Sequence, residues 1–224
     1  PSFIALLILF QAALGMWTVT MKLMPIVVMA HLIGGFTLFS LLWVLYLRTK
    51  PLRIPGGEPR LRKLAPYAML CLILLIMQII LGGWTSSNYA ALACTTLPIC
   101  EGDWMSNLDP LHAFYPLHKT EGSYEFGILD YSSRMTIHVA HRFGAIITAC
   151  AILWLVYRMV TLSRSQLLKR SAWILLGLLC LQIALGISNV VLHLPLGIAV
   201  SHNAGAALLL LTLVFINYAL WRKA

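Results

Sequence analysis

Apolar residues gather into six long runs, near 2–22, 25–48, 65–85, 134–160, 171–193 and 196–221, and most polar residues lie between them. Each run can cross a hydrocarbon core of about 30 Å at about 1.5 Å per residue. A backbone in lipid must satisfy its own hydrogen bonds, so each run is expected to be a helix. The short apolar–polar alternation of strands is absent. The expected fold is all-α, a polytopic membrane helical bundle with six transmembrane helices.

Composition agrees: 60% of the 224 residues are hydrophobic and 10% are charged, against about 25% charged in a soluble domain. This excludes a soluble globular enzyme, a disordered chain and a small disulfide scaffold. The 16 basic and 7 acidic residues give a net charge of +9. In a soluble protein that excess would raise nucleic-acid binding, but here it is a topology signal. Twelve basic residues fall in Arg48–Lys63, Arg158–Arg170 and the tail Arg222–Lys223. Short basic loops stay on the cytoplasmic side. The long loop 86–133, with six of the seven acids, is then expected outside, and no nucleic-acid partner is expected.

The chain contains an internal repeat. Residues 11–34 align without a gap on 182–205, with eight of 24 positions identical, including Gln11/Gln182, Gly15/Gly186, His31/His202 and Gly34/Gly205. The start recurs as QIILGGWT at 78–85. A shared Gln and His are costlier coincidences in a membrane than shared Leu. Two homologous halves follow. Residues 65–224 form a complete C-terminal four-helix half with the outer loop. Residues 1–48 form the last two helices of an N-terminal half, and 49–64 a cytoplasmic basic loop. The chain opens at Pro1 without a Met or a basic stretch, so two further helices, making eight, are expected before it.

Of seven histidines, His31, His141 and His202 lie at similar expected depths, about 9–10 Å from one end of their spans at about 1.5 Å per residue. Two facing imidazoles on different helices suit a b-type haem, whose iron takes one nitrogen on each face. His141 and His202 are the candidate axial ligands. A glycine follows each of the three histidines by three residues, where a flat macrocycle could approach; packing through small residues is the alternative. Zinc would need three or four close ligands, and a c-type haem would need C-x-x-C-H; neither pattern occurs. His138 shares a face with His141, as a lining of the haem edge, a proton carrier or a water-facing residue. Arg142 could pair with a propionate or snorkel to the interface. His112, His118 and His193 read as solvated loop residues.

Loop 86–133 is long for a connector and rich in aromatics, reading as an ordered cap or an interfacial aromatic belt. Cys94 and Cys100 within it read as a disulfide on an oxidising side, with free or redox-active thiols as the alternative. Cys71, Cys150 and Cys180 read as packing residues within helices.

The stretches LGGWTSSNYAALACTTLPICEGDW (81–104), TIHVAHRFGA (136–145) and SHNAGA (201–206) together resemble the haem A synthase family. The resemblance implies eight transmembrane helices in two pseudo-symmetric halves in a bacterial inner membrane. It implies oxidation of a ring methyl of haem O to the formyl of haem A through successive hydroxylations. It implies a haem b held by His141 and His202, a substrate-haem ligand at His31, and paired cysteines at Cys94 and Cys100. Haem O and membrane lipid are the implied partners, with haem O synthase, an electron donor and a second copy of the chain as further candidates. The family's first half also carries another ligand His and a nearby carboxylate, for which this chain has no counterpart. Two competitors share parts of the pattern. A b-type electron-transfer cytochrome subunit would use the His pair without a second haem site. A repeat-built transporter would need broken helices or acids at mid-membrane, and no span contains an acid.

Overall fold

The computed structural model describes residues 2–50, 59–98, 100 and 102–221. Helices α1 (Ser2–Thr20), α2 (Pro25–Arg48), α4 (Ala65–Ser87), α6 (Tyr131–Leu162), α7 (Gln166–Val191) and α8 (Leu196–Trp221) are long and apolar enough to cross a membrane. Two four-residue helices, α3 (Pro59–Arg62) and α5 (Pro110–Ala113), and a 3-10 turn at Met105–Asn107 complete the described elements, with no strand among them. Arg53, Glu58 and the tail Arg222–Lys223, part of the charge pattern, lie outside the described residues.

Burial is inverted relative to a soluble protein. Leu6, Leu9 and Val19 are exposed, while Gln11, Asn88, His138, Thr148 and Asn217 are buried. Lipid is as apolar as leucine, so helices here associate through close packing and internal polar contacts rather than by hiding leucines. Asn217 illustrates the second kind: its amide donates to the Ala68 carbonyl of α4 at 3.0 Å.

The helix contacts close a ring in the order α4–α6–α7–α8–α4, so that α6 stands diagonal to α8. Helices α1 and α2 pair with each other, and α2 lies against α4 and α8. The Trp43 indole fastens this pair by donating to the Leu211 carbonyl at 3.0 Å. The apolar core of the four-helix ring, including Leu75, Ile152, Leu175 and Leu213, lies at the end away from loop 86–133. The other half of the ring, beside the loop, holds the buried polar residues Thr85, Asn88, Ser133, Thr136, His138 and Asn189.

Helix α6 starts at Tyr131, a turn before its apolar run, and α7 starts at Gln166 rather than 171. In both cases polar residues occupy the first turns, and hydropathy does not register them as part of the helix. In α6 the cause is a cap. The Asp130 carboxylate accepts from the Ser133 N–H at 3.2 Å. That hydrogen bonding, with help from the nearby His112, holds the Asp130 carboxyl below its ordinary value. A depressed carboxyl stabilises the fold above its ordinary pKa of about 3.9 and loses that contribution as the pH falls through its folded value. Asp130→Ala is expected to cost about 1 kcal/mol at neutral pH. Melting of both proteins in detergent should show the difference shrinking at pH values below about 3.9.

Loop 86–133 is an ordered cap. The Trp84 indole donates to Ala113 O at 2.9 Å, and the Tyr124 N–H donates to Lys22 O at 3.0 Å. His112 Nδ1 lies 2.9 Å from Ser133 Oγ, and His118 Nε2 lies 3.0 Å from the His112 carbonyl. These two histidines thus make hydrogen bonds within the cap, while His112 remains exposed as expected and His118 is half-buried.

Candidate functional site

One contact pattern occurs three times. In the α1/α2 pair, Gly15 faces the His31 ring and Gln11 covers Gly34. In α4/α6, Gly82 faces the His141 ring and Gln78 covers Gly144. In α7/α8, Gly186 faces the His202 ring and Gln182 covers Gly205. A Cβ placed on Gly15, Gly82 or Gly186 would meet the imidazole Cε1 at 3.3, 3.0 or 3.2 Å. Each pair thus joins a Gln-x-x-x-Gly helix to a His-x-x-Gly helix, and each glycine is the seat of the partner's polar side chain.

The hydrogen bonds differ among the three copies. Gln78 Nε2 lies 2.9 Å from His141 Nδ1 and donates to the His141 carbonyl at 3.0 Å. Gln182 Nε2 lies 3.4 Å from His202 Nε2, which is long for a hydrogen bond. Buried atoms without a partner among the described residues include Gln11 Nε2, Gln78 Oε1, Gln182 Oε1 and His202 Nδ1. Buried polar groups are ordinarily paired, so their concentration around these rings marks the region as chemically incomplete.

His141 and His202 sit on the diagonal helices α6 and α8. His31 belongs to a different pair and its side chain is exposed. Because α6 begins early, His141 lies ten residues from the helix start, or about 15 Å at about 1.5 Å per residue. The first turns of α6 project into the cap, where Thr136 Oγ1 accepts from the Asp109 N–H at 2.9 Å. Counting from helix ends therefore misstates the depth of His141.

Cys94 and Cys100 form a disulfide, and Arg142 holds that loop. Its guanidinium donates to the carbonyls of Cys94 at 2.6 Å, Thr96 at 2.7 Å and Pro98 at 3.4 Å. Arg142 Nε also donates to His138 Nε2 at 3.2 Å, and the Cys94 N–H points at His138 Nδ1 from 3.4 Å. A neutral imidazole accepts at one nitrogen only, so the shorter contact is the effective hydrogen bond. A fork of five N–H donors can serve several carbonyls at once, which an ammonium cannot match. Arg142→Lys is thus expected to loosen the cap beside the disulfide. Limited proteolysis between residues 94 and 100 should speed up in the variant, and should speed up further when Cys94→Ser removes the link. Unchanged cleavage would contradict the clasp.

Sequence reasoning found His141, His202, His31 and the cysteines but did not assign Gln78, Gln182 or the facing glycines. The recurring QIILGG segment was the available signal. Its His partner lies 63 residues away, against 20 in the other two copies, because the cap is inserted between α4 and α6. The described residues contain no group of three His, Cys, Asp or Glu side chains that could hold a bare metal ion. An apolar cavity of about 370 Å³ lies between α2 and α4 beneath Phe114 and Pro116, but neither His141 nor His202 lines it.

Fold and site together define a multi-pass helical membrane protein with a repeated Gln–His–Gly contact between its helices. The chain matches the family described as COX15-CtaA, cytochrome oxidase assembly protein, over residues 1–214, and belongs to it. It is 66% identical over its whole length to a haem A synthase of Shewanella oneidensis, of which it covers 67%. It is 29% identical over 87% of its length to a haem A synthase of Nitrosospira multiformis, covering 52% of that relative. A haem A synthase of Methylobacterium nodulans is 30% identical over 83% of the chain, which covers 48% of it. The chain thus spans two thirds of the first relative and about half of the other two.

Proposed function

We propose that this chain is the larger part of a haem A synthase, which oxidises a methyl group of haem O to the formyl group of haem A. Haem O and the surrounding lipid are its partners in this reading, and it sits in a bacterial inner membrane with the cap on the outer side. Residues 65–224 are the haem b half, 1–48 contribute to the substrate half, and 49–64 are the cytoplasmic connection. The observation that carries the reading is the pair of imidazoles on diagonal helices, His141 and His202, each seated on a glycine of a neighbouring helix.

The residues fit a haem b. A macrocycle supplies its own four nitrogens, so it needs two axial side chains and no further protein ligands, which is the donor set available. The buried, unpartnered Nδ1 of His202 is what an imidazole awaiting a ligand would leave. When bound between two histidines, haem b supplies one-electron transfer and keeps no open position for oxygen. His141 and His202 are the residues that would hold the iron. His138 and Arg142 flank His141 and are the candidates for the haem edge and its propionates. The Arg142 clasp keeps the disulfide loop over this end of the bundle and limits the access of water. His31, in the equivalent place of the α1/α2 pair, is assigned to the substrate haem.

The electron-transfer cytochrome reading shares the His pair but gives no role to the third copy around His31. Pigment extraction separates the two. Cells that make haem O and express the complete protein should accumulate formyl haem, and a His31→Ala version should not. Unchanged haem O in the first cells would refute the enzyme reading.

A further inference from the structure

We propose that Gln78 and Gln182 are positioning residues for the two axial imidazoles, fixing through their side-chain amides which ring nitrogen is offered to the iron. The inference rests on the haem b reading above. Gln78 approaches His141 only at Nδ1, and Nε2 of that ring makes no hydrogen bond among the described residues. The amide leaves Nε2 as the nitrogen open to a ligand; a metal there would put the proton on Nδ1, and Gln78 Oε1, buried and without a partner, is the acceptor that the amide would then turn to it. The second pair shows the complementary half of the argument. Gln182 Nε2 lies 3.4 Å from His202 Nε2, so in this ring Nδ1, buried and without a partner, is the nitrogen left for a ligand, and the buried Gln182 Oε1, also without a partner, is the acceptor that Nε2–H would then use. Metal-bound histidines ordinarily pass their other N–H to an acceptor, which fixes the tautomer and raises the ring's basicity. An amide can present its oxygen or its nitrogen to such a ring.

The glycines explain why the amides can reach. Gly144 and Gly205 lie beneath Gln78 and Gln182, where any side chain would displace them. Gly82 and Gly186 lie against the Cε1 corner of each ring, between its two nitrogens. The imidazole is thus gripped between a glycine and a glutamine of one helix. Around His31 the two glycine contacts recur, with Gln11 over Gly34 and Gly15 against the ring, while Gln11 Nε2 is without a partner.

The test is a redox titration of the haem in the purified chain, with Gln78→Glu, Gln78→Leu and the same changes at Gln182. A carboxylate accepts more strongly from the ring N–H that faces it and enriches the ring, so Gln→Glu should lower the midpoint potential and Gln→Leu should raise it. The expected size is at least a tenfold change in the ferrous to ferric ratio at fixed potential, which for one electron is about 59 mV. Loss of haem from the Leu variant with retention in the Glu variant carries the same meaning. Potentials and low-spin spectra equal in wild type, Glu and Leu forms would overturn the proposal, as would equal haem loss from both variants in chains that remain helical. If Gln78→Glu does not fold, the Leu variant and the Gln182 pair give the same contrast. A wild-type chain without haem, or with haem indifferent to His141→Ala and His202→Ala, would instead refute the haem b reading itself.

Discussion

Replacing either His141 or His202 by alanine is expected to abolish the low-spin b-type spectrum of the purified chain. Each variant leaves the iron one axial nitrogen short. The remaining five-coordinate haem should turn high-spin or dissociate during purification. The two single variants and the double variant should look alike, because the ligands act as one unit and their losses do not add. His31→Ala should leave that spectrum in place, since His31 lies on the α1/α2 pair with its side chain exposed. An optical spectrum of each variant beside wild type, with circular dichroism to verify helix content, decides the matter. A low-spin band surviving in both His141→Ala and His202→Ala would remove the ligand assignment.

The second large effect is expected at the glycines. A Cβ on Gly34, Gly144 or Gly205 would run into the amide of Gln11, Gln78 or Gln182, and the amide would have to leave its seat. Overpacking of this kind costs about 1–3 kcal/mol, and at Gly144 and Gly205 it also withdraws the group facing the candidate ligand. Gly144→Ala and Gly205→Ala should therefore lower both the melting temperature in detergent and the amount of haem retained. Gly35 and Gly177 provide the contrast, since a Cβ there meets nothing within 4 Å. Alanine at those positions should be neutral or stabilising by up to about 1 kcal/mol, the helix-propensity gain over glycine. The adjacent pair Gly34 and Gly35 should respond with opposite signs. Equal melting shifts at both would mean that the seat is not a structural requirement.

Much of the fold was legible because lipid imposes few solutions. Six apolar runs had to be helices, and α2 and α8 begin where their runs begin. The ends of α6 and α7 were not legible by hydropathy, because Ser132, Ser133, Gln166 and Lys169 are helical but polar. The cap at Asp130, which starts α6, is a hydrogen-bond signal rather than a hydrophobic one. The histidine pair was visible as a repeat, since a Gln and a His at fixed spacing stand out against leucine. The third copy was only half visible, because 63 residues and a folded cap separate Gln78 from His141. Arg142 could not be resolved in advance between a propionate and the interface. The carbonyls of Cys94, Thr96 and Pro98 that engage it converge only when the disulfide loop folds back on α6.

The repeat also describes how the bundle is organised. Each unit is a pair of helices locked by one Gln, one His and two Gly, and the C-terminal ring is two such units. Its histidines come from opposite corners, α6 and α8, while its glutamines come from α4 and α7. This alternation puts the two histidines on diagonal helices of the ring and the two glutamines on the other two.

The most direct test of the proposed ligation by His141 and His202 is electron paramagnetic resonance of the oxidised chain grown with nitrogen-15 histidine. Hyperfine coupling from two axial imidazole nitrogens is the predicted result, with one of them missing in His202→Ala. A spectrum showing a single histidine nitrogen, or none, in the wild-type chain would contradict the account.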